Sequence, residues 1–213
     1  MFITFEGVEG CGKSSILSKV YEELIKEGFK ILKTREPGGV KISEDIRNIL
    51  LDKENTVIDK RTEALLFAAS RRQHLVEKIW PALKKGEIIL CDRFVDSSLA
   101  YQGAGDAIGV DEVLKINTFA IEKTFPDLTI LFDIDPRIGL DRINKNANRE
   151  INRLDVQKIE FYDTIRKCYL DLSKKYASRF VVIDASKSFE EVYEEVLTII
   201  KKKLYELQWL FKK

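Results

Sequence analysis

The string Gly7-Val8-Glu9-Gly10-Cys11-Gly12-Lys13-Ser14 constrains this chain more than any other. It reads GxxxxGK[ST] in full, follows the apolar run 2–6 and opens a helical pattern at about Lys13. That strand–loop–helix context is the one a phosphate-binding loop requires. Glycines let the backbone turn so that several N–H groups point at one anion, and the helix N-terminus adds a partial positive charge. Lys13 can reach the β- and γ-phosphates of a nucleotide, and the Ser14 hydroxyl can hold Mg²⁺. With the following Ser15, the loop is the expected nucleotide-binding segment.

Four further short apolar runs, 29–34, 88–91, 128–133 and 180–183, are bounded by turn or charged residues, as buried strands are. Helical patterns separate them at 13–27, 62–84 with a break expected near Pro81, 111–123, 136–145, 156–176 and 189–203. Strands alternating with helices imply a parallel sheet covered on both faces. The expected fold class is α/β: a three-layer α/β/α phosphate-loop (P-loop) NTPase fold on a five-stranded parallel sheet. No Pro- or Ser-rich linker and no repeat interrupts the 213 residues, so 1–213 reads as one domain. An Asn- and Arg-rich segment within about 142–153 reads as a short lid.

Lys and Arg total 36 against 35 Asp and Glu, a net charge of +1. That balance gives no general attraction to nucleic acid, so any anion site must be a local cluster. No apolar run reaches the roughly 18 residues that span a bilayer, and the N-terminus lacks the pattern of a signal peptide. A cytoplasmic protein without a membrane partner is expected. Cys11, Cys91 and Cys168 are odd in number and widely spaced, neither a disulfide framework nor a zinc site. Reduced thiols are expected.

A phosphate loop specifies a nucleotide but not a reaction. A GTPase would need NKxD, and the nearest string, Asn144-Lys145-Asn146-Ala147, has Ala in place of the Asp. Asp92 and Asp133 both end apolar runs and could serve as the metal-side acid. Asp92 is preferred, because Arg93 next to it would pair a metal-facing carboxylate with a phosphate-facing guanidinium.

Three more clusters go beyond a generic phosphate loop. They are Thr34-Arg35-Glu36-Pro37-Gly38-Gly39, Phe67-Ala68-Ala69-Ser70-Arg71-Arg72-Gln73-His74, and Asp92-Arg93-Phe94 followed by Ser97-Ser98-Leu99-Ala100-Tyr101-Gln102-Gly103. With the loop from Phe5 to Ser15, these resemble the thymidylate kinase motifs TREPGG, FAADRxQH, DRYxxSSxAYQG and FEGxxGxGK[ST][ST]. The similarity runs from Phe2 to about Tyr169. The resemblance implies Mg²⁺- and ATP-dependent phosphorylation of dTMP to dTDP in dTTP biosynthesis, by a homodimer formed through long helices.

Carried over by position, the resemblance stacks Phe67 on the thymine and turns Arg71, one helical turn later, to its O4. Arg93 would hold the acceptor phosphate, helped by Arg35 and the turn at Glu36 and Pro37. Ser98 and Gln102 would reach the base edge, and Tyr101 would occupy the place of a ribose 2′-OH. Glu9 would contact the sugar 3′-OH or a metal-bound water. Two positions depart from the pattern: Ser70 replaces an Asp, and Phe94 replaces a Tyr. His74, the one histidine, reads as structural.

The acceptor phosphate is largely dianionic at pH 7, since its second pKa is about 6, and is already a nucleophile. Catalysis would then be positioning plus charge neutralisation by Lys13, Mg²⁺, Arg93 and a further arginine. Some family members carry a basic residue where Cys11 stands, so the resemblance implies that the lid supplies the arginine here. Arg149 and Arg153 are the candidates, with Arg142 and Lys145 behind them. Arg153 matches best, because Ile151-Asn152-Arg153-Leu154-Asp155 resembles the family's LDRIE string. Arg153→Ala is expected to lower turnover much more than dTMP affinity, and equal losses in both would count against that assignment. A kinase for dUMP, UMP or a nucleoside, an ATPase switch with a protein partner, and a non-catalytic binding module remain as alternatives.

Overall fold

The computed structural model describes residues 1–145 and 157–210. Five strands, β1 (Phe2–Gly7), β2 (Ile31–Arg35), β3 (Ile88–Asp92), β4 (Leu128–Asp133) and β5 (Phe180–Asp184), form one sheet in the order β2-β3-β1-β4-β5. Every pairing is parallel. β1 lies at the centre and is buried along its whole length. Its side chains alternate between faces. Ile3 and Phe5 enter the cluster that holds Leu17, Val20 and Leu24 of α1 (Lys13–Lys26) with Val196 and Ile200 of α9 (Phe189–Leu210). Phe2 enters the opposite cluster, with Leu75, Ile79, Phe94 and Ile121. The three expected layers follow.

β2 begins two residues later than its apolar run. Gly28, at φ 88°, ends α1, and the Gly28 and Phe29 amides donate to Ile25 O (3.0 Å) and Leu24 O (3.1 Å). Phe29 is thus part of a Schellman-type helix stop rather than of the strand.

α3 (Lys60–His74) is started by Asp59, whose carboxylate accepts from the Arg61 and Thr62 amides at 3.0 and 3.1 Å. The break expected near Pro81 comes earlier, as a π-helical turn over Leu75–Ile79 before α4 (Trp80–Lys84). A proline has no N–H to give and its ring crowds the carbonyl four residues back, so the widened turn precedes it.

Two elements are absent from the expected pattern. α2 (Lys41–Leu51) buries only Ser43 and Leu50 and exposes Ile42 and Ile49, so its apolar residues do not mark an inner face. α5 (Val95–Ser98) continues as a π-helical turn over Leu99–Gly105, inside what reads as a loop motif. α6 (Val110–Ile121), α7 (Pro136–Asn144) and α8 (Ile159–Lys175) match their expected runs closely, and α9 extends past its own. At the far end Leu204 packs into the core and Tyr205 is exposed. All three cysteines are free and buried. No helix among the described residues is long and apolar enough to cross a membrane.

Candidate active site

Neighbouring strands β2, β3 and β1 end together, and the residues just beyond them open onto one cleft of about 840 Å³. The carboxyl ends of parallel strands are where α/β sheets bind ligands, and the volume suits small molecules, which take roughly 300–1,000 Å³.

The phosphate loop forms one end. Gly10 and Gly12 have φ of 72° and 87°, a region that side chains disfavour, and Gly12 caps α1 without a side-chain bond. The first amides of α1 are therefore left for an anion. Gly10 also lies directly against Gly139 of α7, where a Cβ on either residue would collide with backbone of the other segment. Lys13 and Ser14 line the cleft beside it. The Ser14 hydroxyl donates to Asp92 Oδ2, whereas Asp133 is held by Arg166 at 2.7 and 2.9 Å. Of the two strand-end acids, Asp92 is the one beside the loop. A hydroxyl and a carboxylate are hard oxygen donors, suited to Mg²⁺ completed by nucleotide phosphates and water. Gly7 and Val8 do not reach the cleft: Gly7 packs against Phe132 and Cys11, and Val8 joins the core.

Arg93 stands at the centre. It is a non-glycine residue in the left-handed region, φ 67°, with its amide bonded to Phe5 O at 3.0 Å. Its guanidinium donates to Ser97 Oγ (3.0 Å), Glu9 Oε1 (3.0 Å), Tyr101 OH (3.1 Å) and Tyr169 OH (3.4 Å). The Tyr101 hydroxyl in turn donates to Glu9. A cation is thus held in place by three hydroxyls, two of them aromatic, and one carboxylate, with its side chain still about a fifth exposed to the cleft.

Glu6, at the end of β1, supports that turn from below. It accepts from the Phe94 amide (2.7 Å) and from the hydroxyls of Ser97 (2.6 Å) and Tyr169 (2.9 Å). Burial and the nearby Asp96 carboxylate push its pKa up to about 7, against the opposing bonds from Ser97 and Tyr169 and the charge of Arg93. Below about pH 4.5 the carboxyl is protonated in both folded and unfolded chains. As pH rises through about 7, only the folded chain must keep the charge buried, so stability is lost across that window. Glu6→Gln is expected to remove this loss. Its melting temperature should fall less than that of the unsubstituted protein between about pH 5 and about pH 8, and equal falls would refute the account.

The far end carries Arg35, Glu36, Pro37, Phe67, Arg71, Ser98, Tyr101 and Gln102, all lining the cleft. Arg71 is 2% exposed, and its guanidinium meets Glu36 Oε2 (2.7 Å), Ser98 Oγ (3.0 Å), Phe94 O (3.0 Å) and Asn117 Oδ1. His74 is structural, as expected. It is wholly buried, with Nδ1 3.0 Å from Glu36 Oε1 and Nε2 2.7 Å from Thr34 Oγ1. Gln102 donates to Glu63 at 3.0 Å, and Arg35 pairs with Glu44 at 2.9 Å. The two departures from the motif lie away from the cleft. Ser70 faces Ser43 of α2, and Phe94 is buried edge-on against Phe2, 4.8 Å between centroids.

Arg142, Lys187, Ser188 and Phe189 also line the loop end of the cleft. Sequence reasoning named only Arg142 of these. The others follow β5, and the strand-end rule was the available signal for them. Arg149, Arg153 and most of the expected lid lie outside the described residues.

A phosphate loop facing a second basic, aromatic-lined end of the same cleft defines a P-loop phosphotransferase that brings two phosphorylated ligands together. The comparisons with known proteins narrow that class. The family model described as Thymidylate kinase matches residues 5–196, so this chain belongs to the thymidylate kinase family. The thymidylate kinase of Geobacillus sp. (strain WCH70) is 54% identical over 93% of this chain and 95% of its own length. That of Bacillus velezensis is 52% identical over 98% of each. Among solved structures, the thymidylate kinase from Ehrlichia chaffeensis superposes with a TM-score of 0.77 at 33% identity, covering 94% of this chain and 98% of that one.

Proposed function

We propose that this chain moves the γ-phosphoryl group of ATP onto the phosphate of dTMP, yielding dTDP. The observation that carries the reading is that Arg93 and the Phe67–Arg71 end open into the same cleft as Lys13. ATP occupies the loop end, its phosphates on the loop amides and Lys13, with Arg142 and Lys187 beside it. dTMP occupies the other end, its base on Phe67 and against Arg71, Ser98 and Gln102. Its phosphate meets Arg93, with Arg35 and the turn at Glu36 and Pro37 alongside. Tyr101, tied to Glu9 and Arg93, fills space near the sugar and favours deoxyribose.

Ser14 and Asp92 would hold Mg²⁺, which supplies charge neutralisation on the transferred group. The acceptor needs no general base, and the buried His74 is in no position to act as one. A homodimer is part of this reading. Leu65 on α3, Val76 on the following turn and Phe119 on α6 are exposed, Phe119 by 90%, and α3 and α6 pack side by side. The reduced thiols suit a cytoplasmic enzyme.

The test is ADP release with Mg·ATP and one acceptor at a time: dTMP, dUMP, UMP, dCMP, AMP, GMP, then none. dTMP should be fastest, and dUMP a real second, since one methyl discriminates by only about 1–3 kcal/mol. A different best acceptor would keep the kinase and move the specificity away from Arg71 and Tyr101. Release indifferent to acceptor would overturn the kinase reading in favour of an ATPase switch.

A further inference from the structure

Arg71 has five N–H donors in a rigid plane. One is taken by Glu36, two by Ser98 and Asn117, and one by the Phe94 carbonyl. One donor, on Nη2, has no partner among the described residues, and Arg71 lines the cleft. What this donor can recognise depends on how firmly the plane is held.

The four holding groups differ in kind. Glu36 belongs to the turn after β2, and Phe94 and Ser98 belong to the segment after β3, both of which line the nucleotide cleft. Asn117 sits in the middle of α6, and no residue of α6 lines the cleft. It is fully buried, and its own orientation is settled. Its Nδ2 donates to Val113 O at 2.8 Å, one turn back, which leaves only Oδ1 to face the donor-only guanidinium.

We propose that Asn117 is the positioning residue that fixes the plane of the Arg71 guanidinium, so that its one uncommitted N–H faces the acceptor base and only a carbonyl oxygen there can meet it. The inference rests on the reading of the far end of the cleft as the dTMP site. Asn117 touches no substrate. It acts through Arg71 from α6, a helix packed against α3 and outside the cleft lining. An amide at this point supplies both the acceptor for Arg71 and the donor for Val113 O. A leucine of similar size supplies neither and leaves a buried guanidinium N–H unpaired.

Three measurements test this. Asn117→Leu is expected to raise KM for dTMP about tenfold, to leave KM for ATP within about twofold, and to lower the preference for dTMP over dCMP about tenfold. Asn117→Asp keeps an acceptor oxygen for Arg71 and should hold KM for dTMP within about threefold of the unsubstituted protein. In an Arg71→Met background, Asn117→Leu should add less than about twofold, because residues that act as a unit are not additive.

An unchanged KM for dTMP would overturn the proposal. So would equal losses for ATP and dTMP, or a full tenfold loss added to Arg71→Met, which marks a merely structural residue. If Asn117→Leu does not fold, Asn117→Ala is read by the same ratios. Should the unsubstituted protein prefer another acceptor, the dTMP reading fails. The Arg71–Asn117 cycle, run with that other acceptor, still decides the coupling.

Discussion

Arg93→Ala is expected to lower kcat about a thousandfold or more, with KM for ATP changed by no more than about threefold. Removing one preorganised charge-stabilising donor costs about 10²–10³ in kcat, and a catalytic arginine in phosphoryl transfer is worth about 10³–10⁵. Arg93 should sit in the upper part of that range, because its guanidinium is held by Ser97, Tyr101, Tyr169 and Glu9 before any ligand arrives. Its removal also strands Glu9 as a partly buried carboxylate without its cation, which further weakens the site's attraction for a dianion. The backbone contributes nothing to the difference, since alanine bears a Cβ just as arginine does at φ 67°. Arg93→Lys should recover little, because a single ammonium cannot span four partners. Rapid-quench measurement of the phosphoryl-transfer step checks this. A loss below about tenfold would show that Arg93 is not the acceptor clamp.

Gly139→Ala is expected to lower kcat/KM for ATP about a hundredfold, with a smaller rise in KM for dTMP passed on through Glu9. Judged by helix propensity alone, the substitution should help, because alanine is favoured over glycine inside a helix by about 1 kcal/mol. Here the added methyl would drive into the Glu9 carbonyl oxygen, a backbone atom of the phosphate loop. The collision cannot be relieved by rotating a side chain. Either α7 lifts away or the loop shifts, and a displacement of about 1 Å at reacting groups costs about 10² in rate. Steady-state kinetics with each substrate varied, together with thermal melting, decides the matter. A more stable protein with unchanged ATP kinetics would mean that α7 has room to move.

The phosphate loop was legible because its chemistry is local: a continuous string both makes the turn and supplies the ligands. The strands were legible because β1, β3 and β4 are buried on both faces and read as largely apolar runs. α2 was not, since Ile42 and Ile49 point outward. The far end of the cleft was named through family motifs, and the structure then brought those residues to a common opening with the phosphate loop. What the motifs could not disclose were the supports. Asn117 lies 46 residues from Arg71, in a helix with no motif of its own. Glu6 reads as the last residue of an apolar run until Phe94, Ser97 and Tyr169 are seen to converge on it. Residues that touch substrate leave a string in the sequence. Residues that hold them in place leave only a contact between distant segments.

The three cysteines carry a practical consequence. All are buried, and burial holds the Cys91 thiol well above its ordinary pKa and pushes that of Cys168 up to about 11. The thiolate is the species that reacts with maleimides and disulfide reagents, so Cys91 and Cys168 are nearly silent towards them in the folded chain, and Cys11, which lines the cleft, is the native thiol to replace. A cysteine introduced at an exposed point such as Val57, between α2 and α3, would be the one fast-reacting thiol on the surface. A fluorophore or spin label can then be attached at a chosen position. With Cys11 replaced, two such positions report distances in solution while Cys91 and Cys168 stay in place.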